Sequence, residues 1–127
     1  MERLNFNELY KIRISNPDDS MRKHDVVKTM IVMEIMKRTK KEKKYHAIYT
    51  EYPVGKKGKT KKVDVYHKNL KTGETTIYEV QKIISKQWLK ELKRKVPEEM
   101  NTQIIDLDKV SDDIWEMNEQ VKECVIL

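Results

Sequence analysis

Apolar positions recur along this chain with the period of a helix in some segments and of a strand in others. From Ser20 to about Lys41, Val27, Met30, Ile31 and Met36 fall at helical spacing, and Val26 and Met33 widen the stripe. This predicts an amphipathic helix. Asn16-Pro17-Asp18-Asp19-Ser20 ahead of it reads as a turn and helix start, with Asp or Ser able to cap free N–H groups. Tyr45 to Tyr52 is rich in β-branched and aromatic residues and reads as a strand that Pro53 ends. Val54 to Lys59 holds glycines and lysines and predicts an exposed basic loop. Thr60 to His67 and Thr75 to Ile84 read as two further strands. Asn69 to Gly73 supplies the reversal between them, with Gly73 free to take a positive φ.

Ser85 to Val96 places Trp88, Leu89, Leu92 and Val96 on one helical face, and Pro97 stops it. Thr102 to Leu107 is a fourth short strand. Ser111 then caps a last helix, whose first turn carries Asp112 and Asp113 and whose face is Ile114, Val121 and Val125. The order is α-β-β-β-α-β-α. A helix between the third and fourth strands makes a crossover, so those two strands are expected to be parallel. The prediction is one α/β domain over residues 1–127, a mixed sheet flanked by helices. Residues 1–19, with Leu4, Phe6, Leu9, Ile12 and Ile14, either cover the core or serve as an arm.

Length and composition fit this picture. The chain has 127 residues, enough for one ordinary core and not for two. The stretch Val26 to Met36 is too short and too charged to span a bilayer. No secretory pattern opens the chain. The lone Cys124 excludes an intramolecular disulfide and a cysteine zinc site. An intracellular, cytoplasmic protein without a membrane partner is expected.

Charge changes the picture more. Eleven Lys or Arg lie between Lys37 and Lys62 against Glu42 and Glu51, a net +9. From Glu98 onward, nine acids face two lysines, a net −7. A basic front and an acidic rear orient the molecule toward a polyanion; solvated lysine-rich loops are the plainer reading.

The acids of the strands are the candidate chemistry. Alternation puts Val63 and Val65 on one face of the second strand, with Asp64 and Tyr66 on the other. On the third strand Glu79 shares a face with Ile77, Gln81 and Ile83, in a run that reads as buried. An ionised carboxylate there is costly unless paired or bound to a cation. A hairpin sets the strands side by side, so Asp64 and Glu79 can converge. Two carboxylates and a neighbouring carbonyl oxygen make a hard site suited to Mg²⁺ or Mn²⁺. Edge-strand acids bonded to nearby lysines are the alternative. Glu51 is a third acid, placed near the metal or paired with a loop lysine. Glu34, mid-helix beside Arg38, reads as solvent-facing. His24 and Lys28 lie one helical turn apart and can face a phosphate together.

The α-β-β-β-α-β order, with Asp64 on the second strand and Glu79-Val80-Gln81 on the third, resembles the PD-(D/E)XK (restriction endonuclease-like) nuclease superfamily. The resemblance covers roughly residues 20–107. Within it, Ser20, His24, Lys28, Glu51, Asp64-Val65 and Glu79-Val80-Gln81 are similar to the pattern of the competence-protein CoiA-like branch. The resemblance implies that Asp64 and Glu79 hold the metal; the expected site adds the Val80 carbonyl, and Glu51 through a water. It also implies that the second residue after the Glu orients or activates the attacking water. That residue is usually Lys and here is Gln81, which can hold water but has no tunable charge. Lys82 follows one residue later, on the opposite side of the strand. That branch commonly follows the Gln with x-Ser, whereas Lys82 and Ile83 stand here and Ser85 is displaced.

The expected function is therefore a metal-dependent endonuclease acting on duplex, single-stranded or branched DNA. Asp64, Glu79, Gln81 and Lys82 would serve the chemistry, and His24, Lys28, Lys56, Lys57, Lys59, Lys61 and Lys62 the phosphates. The alternative is a nucleic-acid-binding protein that kept the fold and lost the chemistry. A third reading is a partner protein whose acidic C-terminal helix, with Trp115, Met117, Val121 and Val125, docks another protein. The same helix could form a homodimer.

Overall fold

The computed structural model describes residues 19–56 and 58–127. The segment before Asp19 and the side chain of Lys57, a candidate phosphate contact, lie outside the described residues. Helix α1 spans Asp19–Arg38, and a 3-10 segment, Lys40–Tyr45, leads into the sheet. Strands β1 (His46–Lys56), β2 (Lys59–Asn69) and β3 (Thr75–Gln81) follow. Helix α2 spans Lys86–Lys95, strand β4 Asn101–Asp106, and helix α3 Ile114–Cys124.

The fold is α/β, with one four-stranded mixed sheet in the order β1-β2-β3-β4. The first three strands are antiparallel neighbours, and β4 runs parallel to β3 after the α2 crossover. Ser85 caps α2 by accepting the Trp88 N–H at 3.0 Å. Asp113, not Ser111, caps α3: its carboxylate accepts the Glu116 N–H, and the Ser111 hydroxyl accepts the Asp113 N–H one turn earlier.

Two layers of side chains hold the sheet. On one face Val27, Ile31 and Ile35 of α1 and Met117 and Val121 of α3 meet Val65, Tyr78, Val80 and Ile105. On the other, Leu92 of α2 and Val96 just beyond it meet Val54, Val63, Tyr66 and Ile77. Each buried aliphatic side chain contributes roughly 1.5–3 kcal/mol. The α1 seam is a strict four-residue repeat and includes Ile35, which the apolar stripe did not single out. Met33 and Met36 of that stripe, and Ile114 of α3, face solvent. Glu34 corrects the solvent-facing reading. It is buried, and its carboxylate takes the Arg38 Nε at 2.7 Å. The same guanidinium donates to the carbonyls of Lys122 and Val125, tying α1 to the end of α3.

Pro53 does not end β1. The strand continues through it on the sheet edge, where a missing N–H costs no ladder bond, and Pro53 lies opposite Lys62. The expected loop is thus mostly hairpin: Val54 is buried opposite Lys61, and Lys56 pairs with Lys59. Strand β3 stops three residues early, at Gln81, where its pairing with Asp106 of β4 ends. Among the described residues, no helix is long and apolar enough to cross a membrane.

Candidate active site

The ladder between β2 and β3 runs only as far as Val65 opposite Tyr78. Beyond that pair the strands part, and side chains replace the backbone bonds. The Asp64 N–H donates to Glu79 Oε1 at 2.8 Å, and the Val80 N–H donates to Asp64 Oδ2 at 2.7 Å. Each carboxylate thereby satisfies a backbone donor of the neighbouring strand that parting would leave unpaired. The alternation of β2 resets here. Val63 packs in the α2 layer and Val65 in the α1 layer, so these two valines do not share a face as the simple period requires.

Glu51 stands across from this break, between the pairs Thr50–Val65 and Tyr52–Val63. Its φ is 52°, and it is the one non-glycine residue with positive φ among the described residues. Such a backbone costs on the order of 1–3 kcal/mol, and strain of this kind clusters at functional sites.

The second oxygen of each carboxylate faces a cationic side chain. Asp64 Oδ1 lies 3.2 Å from His24 Nε2, and Glu79 Oε2 lies 3.2 Å from Lys61 Nζ. The other ring nitrogen of His24 lies 3.4 Å from Asp25 Oδ1. An imidazole between two carboxylates is best satisfied when both nitrogens donate. The hydrogen bond to Asp64 accordingly lifts the His24 pKa above its ordinary value, against the opposing effect of burial. Lys28, one turn further along α1, reaches Glu51 at 3.6 Å and Asp25 at 4.0 Å. Lys61 also lies 5.8 Å above the Trp88 ring of α2.

Glu79 is the most enclosed of these acids, 4% exposed. Burial, and then the charge of Asp64, push its carboxyl above the usual range; the Asp64 N–H and Lys61 pull the other way. The cluster holds four carboxylates (Asp25, Glu51, Asp64, Glu79) against two ammonium groups (Lys28, Lys61) and His24. It is short of positive charge even with His24 protonated. No three His, Cys, Asp or Glu side chains are gathered tightly enough to cage a metal among the described residues. The donor set does not suit a closed zinc-type site. It fits a hard divalent ion that keeps several waters and takes only one or two carboxylates.

The remaining candidates fall in four places. Gln81 follows Glu79 on β3, but its amide donates to the Ile83 carbonyl at 3.0 Å, bracing the chain where the strand ends. Lys82 lies in a cleft with Lys23, Asp108 and Asp112 and makes no contact with Glu79. Among the described residues, no ion pair joins it to Asp64 or Glu79. Lys62 is exposed on β2. Lys56 and Lys59 sit at the hairpin end, where with Lys93, Arg94 and Lys95 they line a groove of about 570 Å³ whose rim also carries Glu98 and Glu99. Gly55 lets the hairpin approach α2 this closely: a Cβ there would fall 2.7 Å from the Lys95 carbonyl oxygen.

Sequence reasoning missed Asp25, because an acid on the polar side of a helix carries no signal until its neighbours are placed. It also read Lys61 as one of several equivalent lysines. The break in alternation at Asp64 is what turns Lys61 to the Glu79 side. Comparison of the chain with protein-family models, with curated proteins and with solved structures returned no match.

Proposed function

We propose that this protein is a metal-dependent endonuclease of the PD-(D/E)XK kind, hydrolysing phosphodiester bonds of DNA. The observation that carries the reading is the reciprocal bracing of Asp64 and Glu79 where β2 and β3 part. Each carboxylate spends one oxygen on a backbone N–H and leaves the other on a replaceable cation. This fixes both acids in place while keeping one oxygen of each exchangeable. The strand order and the basic hairpin beside the acids support the same reading.

Asp64 and Glu79 are the residues that would hold Mg²⁺ or Mn²⁺, with Glu51, across the strand break from Asp64, placed to take part through water. Such an ion, when bound, polarises the phosphodiester and lowers the pKa of an attacking water. The protein's own groups bind and orient. His24 and Lys28 on α1 and Lys61 on β2 surround the acids with donors for phosphate oxygens. Lys56, Lys59 and Lys62 extend that surface along the hairpin. Hydrolysis bonds the water oxygen to phosphorus and breaks the bond to the leaving sugar oxygen, which ends with a proton from water.

Incubation of supercoiled plasmid with the protein in Mg²⁺ or Mn²⁺, beside EDTA and Asp64→Ala controls, tests the proposal. Metal-dependent nicking lost in Asp64→Ala is the expected result. The bond from Gln81 to Ile83, and the lack of a lysine two residues after Glu79, favour a second reading as a binding protein without chemistry. A folded protein that shifts DNA in EDTA and cuts nothing in either metal would establish that second reading.

A further inference from the structure

Glu79 lacks a lysine two residues on, Gln81 is turned to its own chain, and Lys82 lies in another cleft. Among the described residues, the ammonium group of Lys61 nevertheless reaches the Glu79 carboxylate. It comes from β2, three residues before Asp64, on the α2 side of the sheet where Val63 and Trp88 lie. We propose that Lys61 is the cation that directs the attacking water and the scissile phosphate, and that it serves as counter-ion to Glu79 until a metal takes its place.

Three features support the assignment. The contact is short, 3.2 Å, and Lys61 is largely covered, so the ammonium is held and not merely nearby. The bond is made to Glu79 Oε2, while the Asp64 N–H holds Oε1. Displacing Lys61 therefore frees one oxygen without unfixing the carboxylate. The Trp88 ring keeps a cation-favouring surface under the ammonium, so a displaced Lys61 stays beside the site and does not swing into solvent. His24 holds the matching oxygen of Asp64 and also contacts Asp25 at 3.4 Å, so of the two exchangeable cations Lys61 is the more readily displaced.

The inference rests on the nuclease reading for its chemistry, but its exchange step is testable by binding alone. DNA affinity is measured against salt for the wild type and Lys61→Met, once in EDTA and once in Ca²⁺, which occupies such sites without supporting cleavage. In EDTA Lys61 is held by Glu79 and is not free to contact a phosphate, so Lys61→Met lowers the salt slope by much less than one. In Ca²⁺ the freed ammonium adds a phosphate contact, and Lys61→Met reduces the salt slope by about one. Equal losses in both conditions, or none in Ca²⁺, would overturn the proposal. With Mn²⁺ and plasmid, Lys61→Met lowers kcat by about 100-fold, while Lys61→Arg keeps the charge and stays within about tenfold of the wild type. Wild-type kcat in Lys61→Met would also overturn it. Absence of cutting by the wild type, with the Ca²⁺-specific loss present, would refute the nuclease reading and leave the exchange standing.

Discussion

Glu79 shows how one residue sets the character of the site. Its carboxyl is lifted first by burial and then by the neighbouring Asp64. A carboxyl whose folded pKa lies above its unfolded value favours folding when protonated, and that favourable effect is lost as pH rises through the folded pKa. His24 has the same sign: its raised pKa contributes stability below about 6.5, lost as pH rises through the folded value. Glu79→Gln, which fixes the neutral form and keeps an oxygen for the Asp64 N–H, should gain stability over the wild type as pH rises from 4 to 8. Urea unfolding across that range checks this, and a stability difference between variant and wild type that does not shift toward the variant as pH rises would contradict it.

At the scale of elements, much was legible in the sequence. The α-β-β-β-α-β-α order and the parallel β3–β4 pair followed from periodicity and from the α2 crossover, because those signals are local. The placement of Glu79 on a buried strand followed too. The misses have a common cause in tertiary packing. Pro53 marks a break by its lost N–H, yet an edge strand tolerates that loss and keeps Pro53 in register opposite Lys62. Val63 and Val65 alternate correctly only while β2 stays regular, and β2 is irregular where its ladder to β3 gives way to carboxylates. The stacked pair His46 and His67, with ring nitrogens 2.9 Å apart, depends on strand register and left no trace in the sequence.

The hairpin offers a direct test of how elements are joined. Gly55 combines a φ of 109° with two backbone oxygens that a Cβ would strike, those of Lys59 at 2.6 Å and Lys95 at 2.7 Å. Gly55→Ala should push the β1–β2 tip off α2, costing about 1–3 kcal/mol. Thermal unfolding reads this cost. An unchanged midpoint would mean that the hairpin is not seated against α2.

For the whole molecule, charge is the organising feature. The basic window from Lys37 to Lys62 is joined in space by Lys93, Arg94 and Lys95, while the acids after Glu98 are spread over β4, α3 and their connections. Charge reversal at Lys59 and Lys93 should therefore weaken DNA binding at low salt much more than at 0.3 M salt, with no sequence preference in the loss. Equal affinity for the wild type and the reversed variant at low salt would remove the groove from the interface.

The proposed function requires that Asp64 and Glu79 together hold a divalent cation. Isothermal titration of Mn²⁺ into the wild type, Asp64→Asn and Glu79→Gln tests it without reference to any substrate. Saturable binding by the wild type, weakened by at least about tenfold in each variant while the fold is retained, is the expected result. Equal binding in all three proteins, or none in the wild type, would contradict it.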